Sequence, residues 1–415
     1  MRLPLAFLLG ATSLCAQTHT TNVDERKVPA YTLPALAVGE AKDWPRQRAA
    51  LLAQFAHHVH GRTPATPGKI RVRVDGERDD CLGGLAHRTL LHIDLPELPG
   101  WHGMDVLLYV PQQAKAPVPC FFGLNFAGNQ SVTDESDVPS TVAWLEDGPN
   151  VLAHHALPTS AGADASSWPL RTVVAHGFAI ATVHYGDLEP DHKDGWRDGV
   201  RGAFAAKDAT THEGDAAWGA VGAWAFGLSR LVDHLVTDPR LDPARLAVVG
   251  HSRLGKAALW AGVQDERIAL VIANESGEGG AALMRRDFGE TIGDLVHNFP
   301  HWFCPRFAEY ANAPERCPVD AHQLLALCAP RLLYVASARD DWWCDPRGEF
   351  LAAQHASAAW EPFGKRGLPA GDWPANHVRI GNEVGYHVRP GEHGLTPADW
   401  RHFLDFAELH WSQKH

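Results

Sequence analysis

Leu246-Ala247-Val248-Val249-Gly250-His251-Ser252-Arg253-Leu254-Gly255-Lys256-Ala257-Ala258-Leu259 is the stretch that decides the fold. Leu246 to Val249 is a short apolar run of the kind buried on both faces of a parallel sheet. A tight turn with glycine on both sides of a serine follows, and the chain then reads as a helix. Such a turn projects the serine hydroxyl and sets the next backbone N–H at a helix N-terminus. There the free donors and the helix dipole stabilise a developing oxyanion. This is the setting of a nucleophile elbow. The spacing is G-x-S-x-x-G, with Gly255 one place late and Leu254 where glycine is usual. The string alone occurs by chance; the strand before it and the helix after it give it weight.

Working outward, similar compact runs stand at Phe121–Phe126, Val173–Val183, Ala269–Ala273 and Leu332–Ala336. Between them, Trp218 to Val236 places Val221, Trp224, Ala225, Leu228, Leu231, Val232 and Leu235 on one helical face. Upstream, Ile70–Val74, Thr89–Ile93 and Asp105–Val110 alternate and are separated by turns, which predicts antiparallel strands opening the sheet. Strands alternating with helices predict an α/β protein of the α/β-hydrolase fold. The expected architecture is a three-layer αβα sandwich with a mostly parallel central sheet and antiparallel N-terminal strands. Asp134–Leu170 is long, polar and irregular, and reads as a surface insertion or lid. Residues 46–60 predict a helix, and 17–60 as a whole a leader and helix packed on a single catalytic domain of residues 61–415.

A serine needs a base held by a third group, and in this fold the order is serine, acid, histidine. His393 stands in the loop Arg389-Pro390-Gly391-Glu392-His393-Gly394, just before a last helix from Pro397. His387 competes, but its surroundings are strand-like. Two acids compete for the third role. Glu275 follows the run ending at Ala273, and Asp341 follows the next run. Read from the residues, the two are nearly tied.

The 415 residues carry a net charge of −12, which argues against nucleic acid as a partner. Arg2 followed by the apolar stretch Leu3–Leu14 and the small Ala16 reads as a signal peptide over residues 1–16, predicting a secreted or periplasmic protein. No run reaches the ~20 apolar residues of a membrane span. Beyond that segment, Cys81, Cys120, Cys304, Cys317, Cys328 and Cys344 permit disulfides in an exported chain, the alternative being buried free thiols. None has the spacing of a structural zinc site. Most of the 15 tryptophans are expected in the core.

With these residues in place, the chain resembles the glucuronoyl esterases, carbohydrate esterase family 15, over most of residues 55–410. Gly250 to Lys256 matches the family's Gly-Cys-Ser-Arg-x-Gly-Lys elbow, except that His251 replaces the cysteine. Glu275-Ser276-Gly277, 23 residues after the serine, matches its acid element, and Arg389 to His393 matches its Arg-Pro-Gly-x-His segment. Tyr185-Gly186-Asp187, Phe288-Gly289-Glu290-Thr291 and Phe299-Pro300-His301-Trp302-Phe303 are further matches.

The resemblance implies hydrolysis of the ester joining the (4-O-methyl-)glucuronic acid of glucuronoxylan to lignin alcohols. Ser252 is then the nucleophile and His393 its base, and Arg253 is a charged donor beside the oxyanion hole. Lys256, Glu290 and Trp343 complete the sugar site. It favours Glu275 as the acid, while some bacterial members use the position of Asp341. It also implies that fungal members tie the elbow cysteine to another near the catalytic histidine; neither position is cysteine here. The chemistry asks for no metal or other cofactor, and the chain is expected to act as a monomer. Two alternatives stand beside this reading. One is an acetyl or feruloyl esterase on the same fold, the other a non-catalytic carbohydrate-binding protein.

Overall fold

A computed structural model of the protein describes residues 21–411; the expected signal peptide lies outside them. The strands, in chain order, are β1 (Arg71–Asp80), β2 (Ala86–Asp94), β3 (Met104–Pro111), β4 (Val118–Asn125), β5 (Val151–Leu152), β6 (His155–Ala156) and β7 (Ala179–His184). They continue with β8 (Leu241–His251), β9 (Leu270–Asn274), β10 (Leu332–Ala338), β11 (Ile380–Gly381) and β12 (Val384–Arg389). All but β5 and β6 belong to one sheet, in the order β1-β2-β3-β7-β4-β8-β9-β10-β12-β11. From β7 to β12 the neighbours run parallel, whereas β1, β2 and β3 join antiparallel, as the alternating N-terminal runs predict.

Helices cover both faces, giving three layers. On one face Ala220–Leu235 and Arg253–Gln264 pack Trp224, Leu231, Leu259 and Trp260 against the apolar rows of β4, β8 and β9. On the other, the C-terminal helix Pro397–Trp411 lays Trp400, Phe403 and Phe406 over Phe121, Val249 and Tyr334. Nine of the 15 tryptophans are buried, Trp218, Trp224, Trp260, Trp360 and Trp400 fully, so most of the large indoles serve the core. The exposed edge strand β1 carries alternating charges, Arg71, Arg73, Asp75, Glu77 and Arg78, which guards it against pairing with another chain.

One expected strand divides. The run Val173–Val183 forms a helix over Leu170–Ala175 and then strand β7 from Ala179. Gly177, at φ +84, makes the left-handed turn between them, so apolar content alone misplaced the start of the strand. The helix predicted over 46–60 spans Trp44–His58. The leader ahead of it lies along the body: Asn22 donates to the Asp287 carbonyl, and Pro34 and Ala35 carbonyls accept from His322 and Gln323. The 134–170 segment is irregular apart from the β5–β6 hairpin and short turns. All six described cysteines are free and buried, so the permitted disulfides do not form.

Candidate active site

The sheet assembles the site by register. His251, the last residue of β8, lies opposite Asn274, the last of β9, so Ser252 and Glu275 leave the sheet side by side. The Ser252 N–H donates to the Asn274 carbonyl at 2.9 Å. Ala336 of β10 lies opposite Asn274, and Ala338 lies opposite Arg389 at the end of β12. Asp341 and His393 follow those two strands within a few residues. Four neighbouring parallel strands thus deliver all four groups at their carboxyl ends.

Both turns off the central strands are strained. Ser252 sits at φ 57, ψ −132, and Glu275 at φ 48. Positive φ on a side-chain-bearing residue costs about 1–3 kcal/mol and holds only where packing enforces it. The glycines explain how it is enforced. A Cβ on Gly250 would lie 2.1 Å from the Leu254 carbonyl oxygen, and one on Gly255 would lie 3.0 Å from the Ser276 Cβ. The helix therefore crosses the Glu275–Ser276 turn at position 255, while Leu254 is buried in the core. The late glycine of the elbow marks that crossing.

His393 meets both candidate acids through one atom. Its Nδ1 lies 2.7 Å from Asp341 Oδ2 and 3.3 Å from Glu275 Oε2. Burial works against a charged imidazole here, but the hydrogen bonds and charges of Asp341 and Glu275 outweigh it and lift His393 to about 9. Burial raises Glu275, partly offset by His393 and Arg389, whereas for Asp341 the bond to His393 overcomes burial and lowers it. With Nδ1 committed to the carboxylates, Nε2 is left as the basic atom. His387, by contrast, is fully buried, between the Tyr334 hydroxyl and Asp399, each at 3.0 Å.

The loop carrying His393 is fixed by Arg389. Its guanidinium donates to Glu275 Oε1 at 2.6 Å, to the Gly394 carbonyl at 2.5 Å and to Asp399 at 3.0 Å. The Gly394 N–H returns a bond to Glu275 Oε2 at 2.8 Å. Glu275 is thus held by the loop as much as it holds the imidazole.

Around the elbow, Arg253 donates to Asp191 at 2.5 Å and lies over the rings of Phe126, Phe299 and Trp302. Asp191 also accepts from His301 at 2.8 Å and from the Trp302 indole at 2.7 Å. Burial raises the carboxyl of Asp191, but the bond from His301 and the charge of Arg253 bring it below its ordinary value. Lys256, one turn past Ser252, is buried; its ammonium donates to the Ser276 carbonyl at 2.7 Å and lies 3.6 Å from Glu290. It is not the solvated helix residue that its position alone allows. Burial raises Glu290, with Lys256 opposing. The Trp343 carbonyl accepts from the Glu290 N–H, and Trp343 as a residue is 43% exposed.

The profile described as "Glucuronyl esterase, fungi" matches residues 154–364. A carbohydrate esterase from an unknown prokaryotic organism is 40% identical over 405 residues, 95% of this chain and 93% of the relative. This chain belongs to the glucuronoyl esterases. Among solved structures, the glucuronoyl esterase from Solibacter usitatus superposes with a TM-score of 0.87 at 42% identity, covering 93% of this chain and 100% of that one. A promiscuous carbohydrate esterase family 15 enzyme from a marine bacterial metagenome gives 0.88 at 39% identity, over 94% and 100% of the two chains.

Within this glucuronoyl esterase, the residue replacing the elbow cysteine packs rather than bridges. The His251 ring lies 4.4 Å from that of His393, tilted by 39°, and its Nδ1 accepts from the Asn274 amide at 2.9 Å. Burial and the neighbouring His393 charge lower His251 to about 3, so it stays neutral. Asn274 also reaches the Gly394 carbonyl at 3.2 Å. Sequence reading missed the roles of Asn274, Asp191 and Arg389. Arg389 and His301 lie inside matched motifs, so their positions were visible though their partners were not. Asp191, four residues after Tyr185-Gly186-Asp187, carried no signal of its own.

Proposed function

We propose that this chain hydrolyses esters of glucuronic acid through an acyl-enzyme on Ser252. The observation that carries the reading is the set of charged groups around one strained serine. Arg253 is held beside it by Asp191, and Lys256 and Glu290 form a buried pair one helical turn beyond. A plain acetyl or feruloyl esterase has little use for a second buried cation and its acceptor. A non-catalytic carbohydrate-binding protein has no use for a histidine clamped by two carboxylates.

In this mechanism His393 Nε2 takes the Ser252 proton as Oγ attacks the uronoyl carbonyl. The charge on the carbonyl oxygen is met by the N-terminal N–H groups of the Arg253–Gln264 helix and by the Arg253 guanidinium. The imidazolium returns the proton to the leaving alcohol, and water activated by the same histidine releases the glucuronic acid. Asp341 holds the imidazole from 2.7 Å, and Glu275 is the second support, tied to the loop by Arg389. Lys256 and Glu290 bind the sugar hydroxyls, and Trp343 offers a ring face.

No helix of the described residues is long and apolar enough to cross a membrane. From the signal peptide expected over residues 1–16, we infer a secreted or periplasmic monomer whose substrates are glucuronoxylan esters of lignin alcohols. The test of the sugar assignment is Lys256→Met and Glu290→Gln, assayed on benzyl glucuronate and on 4-nitrophenyl acetate. Selective loss of uronate hydrolysis with acetate turnover kept is the expected result. Equal losses on both substrates would move the assignment to a general esterase.

A further inference from the structure

The mechanism leaves one buried nucleophilic group beside the base unused. Cys344 lies under the catalytic loop, its Sγ 3.6 Å from His393 Nδ1 and 3.4 Å from the Glu275 carbonyl oxygen. Asp341 Oδ2 lies 2.7 Å from the same Nδ1, and the ligand atoms of Asp341, Cys344 and His393 all fall within 4.8 Å of one another. Thiolate, imidazole and carboxylate are the donor types that select zinc.

The spacing fits a metal as well as the donors do. With Zn–S at about 2.3 Å and Zn–N at about 2.05 Å, a tetrahedral angle puts S and N about 3.6 Å apart, the separation observed between Cys344 and His393. The matching N–O edge is about 3.4 Å, so the Asp341 carboxylate need withdraw by only about 0.7 Å from its hydrogen-bonded 2.7 Å. Three protein ligands leave the fourth position for water. The Glu275–Arg389 ion pair, at 2.6 Å, closes one side of the site.

We propose that Asp341, Cys344 and His393 form an inhibitory site for Zn2+ and similar thiophilic divalent cations, behind the catalytic histidine. This rests on the reading of His393 as the base. The exchange balances. One Zn2+ enters, and two protons leave: the Nδ1 proton of the imidazolium and the thiol proton of Cys344. Before, the three groups carry Asp341 minus and His393 plus. Afterwards they carry two negative ligands, a neutral imidazole and a divalent cation, so the local charge is unchanged. Zn2+ on Nδ1 fixes the remaining proton on Nε2. The imidazole then has no lone pair for the Ser252 proton, and Asp341 no longer orients it. The enzyme is switched off without the substrate site being touched.

The test uses the full-length protein, Zn2+ and Co2+. Hydrolysis of benzyl glucuronate by the wild type falls on Zn2+ titration and returns with a chelator. Cys344→Ala keeps its turnover, and its half-inhibiting Zn2+ concentration rises by about 100-fold or more, as losing a thiolate ligand should cost at least what outer-shell losses do. His92→Ala, which breaks the surface trio Asp75–His92–Asp105, leaves inhibition unchanged. Independently of catalysis, Co2+ added to the wild type and to Ser252→Ala gives a thiolate-to-metal charge-transfer band that Cys344→Ala lacks. Absence of the band in the wild type, or undiminished inhibition in Cys344→Ala, overturns the proposal. If Cys344→Ala does not fold, the wild-type band decides alone. Because the band is read in the inactive Ser252→Ala protein too, failure of the esterase reading and failure of the metal site remain distinguishable.

Discussion

Asp341→Asn and Glu275→Gln, singly and together, probe how two carboxylates share one imidazole. His393 stands at about 9 because the hydrogen bonds and charges of both carboxylates on Nδ1 outweigh its burial. Its side chain is 40% exposed, so solvent screens part of each charge. Removing Asp341, the nearer at 2.7 Å, should lower that value by about 1–2 units, and removing Glu275, at 3.3 Å, by less. The sign follows from the role. A base works deprotonated, so kcat/KM on benzyl glucuronate should rise with pH through the wild-type value, and the limb should move to lower pH in Asp341→Asn. The plateau moves the other way, because the imidazole loses its main anchor. Glu275 still accepts from Nδ1, so the single Asp341 variant should lose about 10- to 100-fold, whereas the double variant should approach the ~10⁴-fold loss of a triad without its acid. The assay is a pH series of kcat and kcat/KM for the four proteins. A limb that moves to higher pH in Asp341→Asn refutes the account. So does a double variant no worse than the worse single one, since the two acids would then not be sharing the work.

Arg253→Met should lower kcat by about 10²–10³ with KM changed little, the signature of a donor that acts as the oxyanion forms; steady-state kinetics on benzyl glucuronate checks it. Arg389→Met removes a buried guanidinium from Glu275 and Asp399, both fully buried. It should destabilise the fold by about 3–5 kcal/mol in urea unfolding, because two carboxylates are left without their cation. A change within error of zero would mean that Arg389 does not hold the loop.

Much of this arrangement was legible in the sequence because it is local. The run Leu246–Val249, the glycines at 250 and 255 and the helix after them are consecutive, and their chemistry follows from backbone geometry. The parallel sheet was legible for the same reason, as buried strands are continuous apolar runs. What the sequence could not carry is pairing between distant segments. The choice between Glu275 and Asp341 stayed open from the residues alone, and the structure shows why: both reach the same nitrogen. The link from Arg253 to Asp191 spans 62 residues, and that from Arg389 to Glu275 spans 114. No periodicity records either. The split of Val173–Val183 into helix and strand turned on the single φ of Gly177, which composition does not reveal. His251 was visible as a departure from the family pattern, but its packing on His393 depends on the parallel strands β8 and β12 both ending at the carboxyl end of the sheet.

Whether Ser252 performs uronate ester hydrolysis is decided by a single comparison. Benzyl glucuronate and 4-nitrophenyl acetate are offered to the wild type and to Ser252→Ala at matched concentrations, with folding verified by circular dichroism. With Ser252 as the nucleophile, the wild-type kcat/KM is far higher on the uronate ester than on acetate, and the folded variant shows no turnover above background. Uronate hydrolysis that survives in Ser252→Ala, or a wild type active on acetate alone, would contradict that reading.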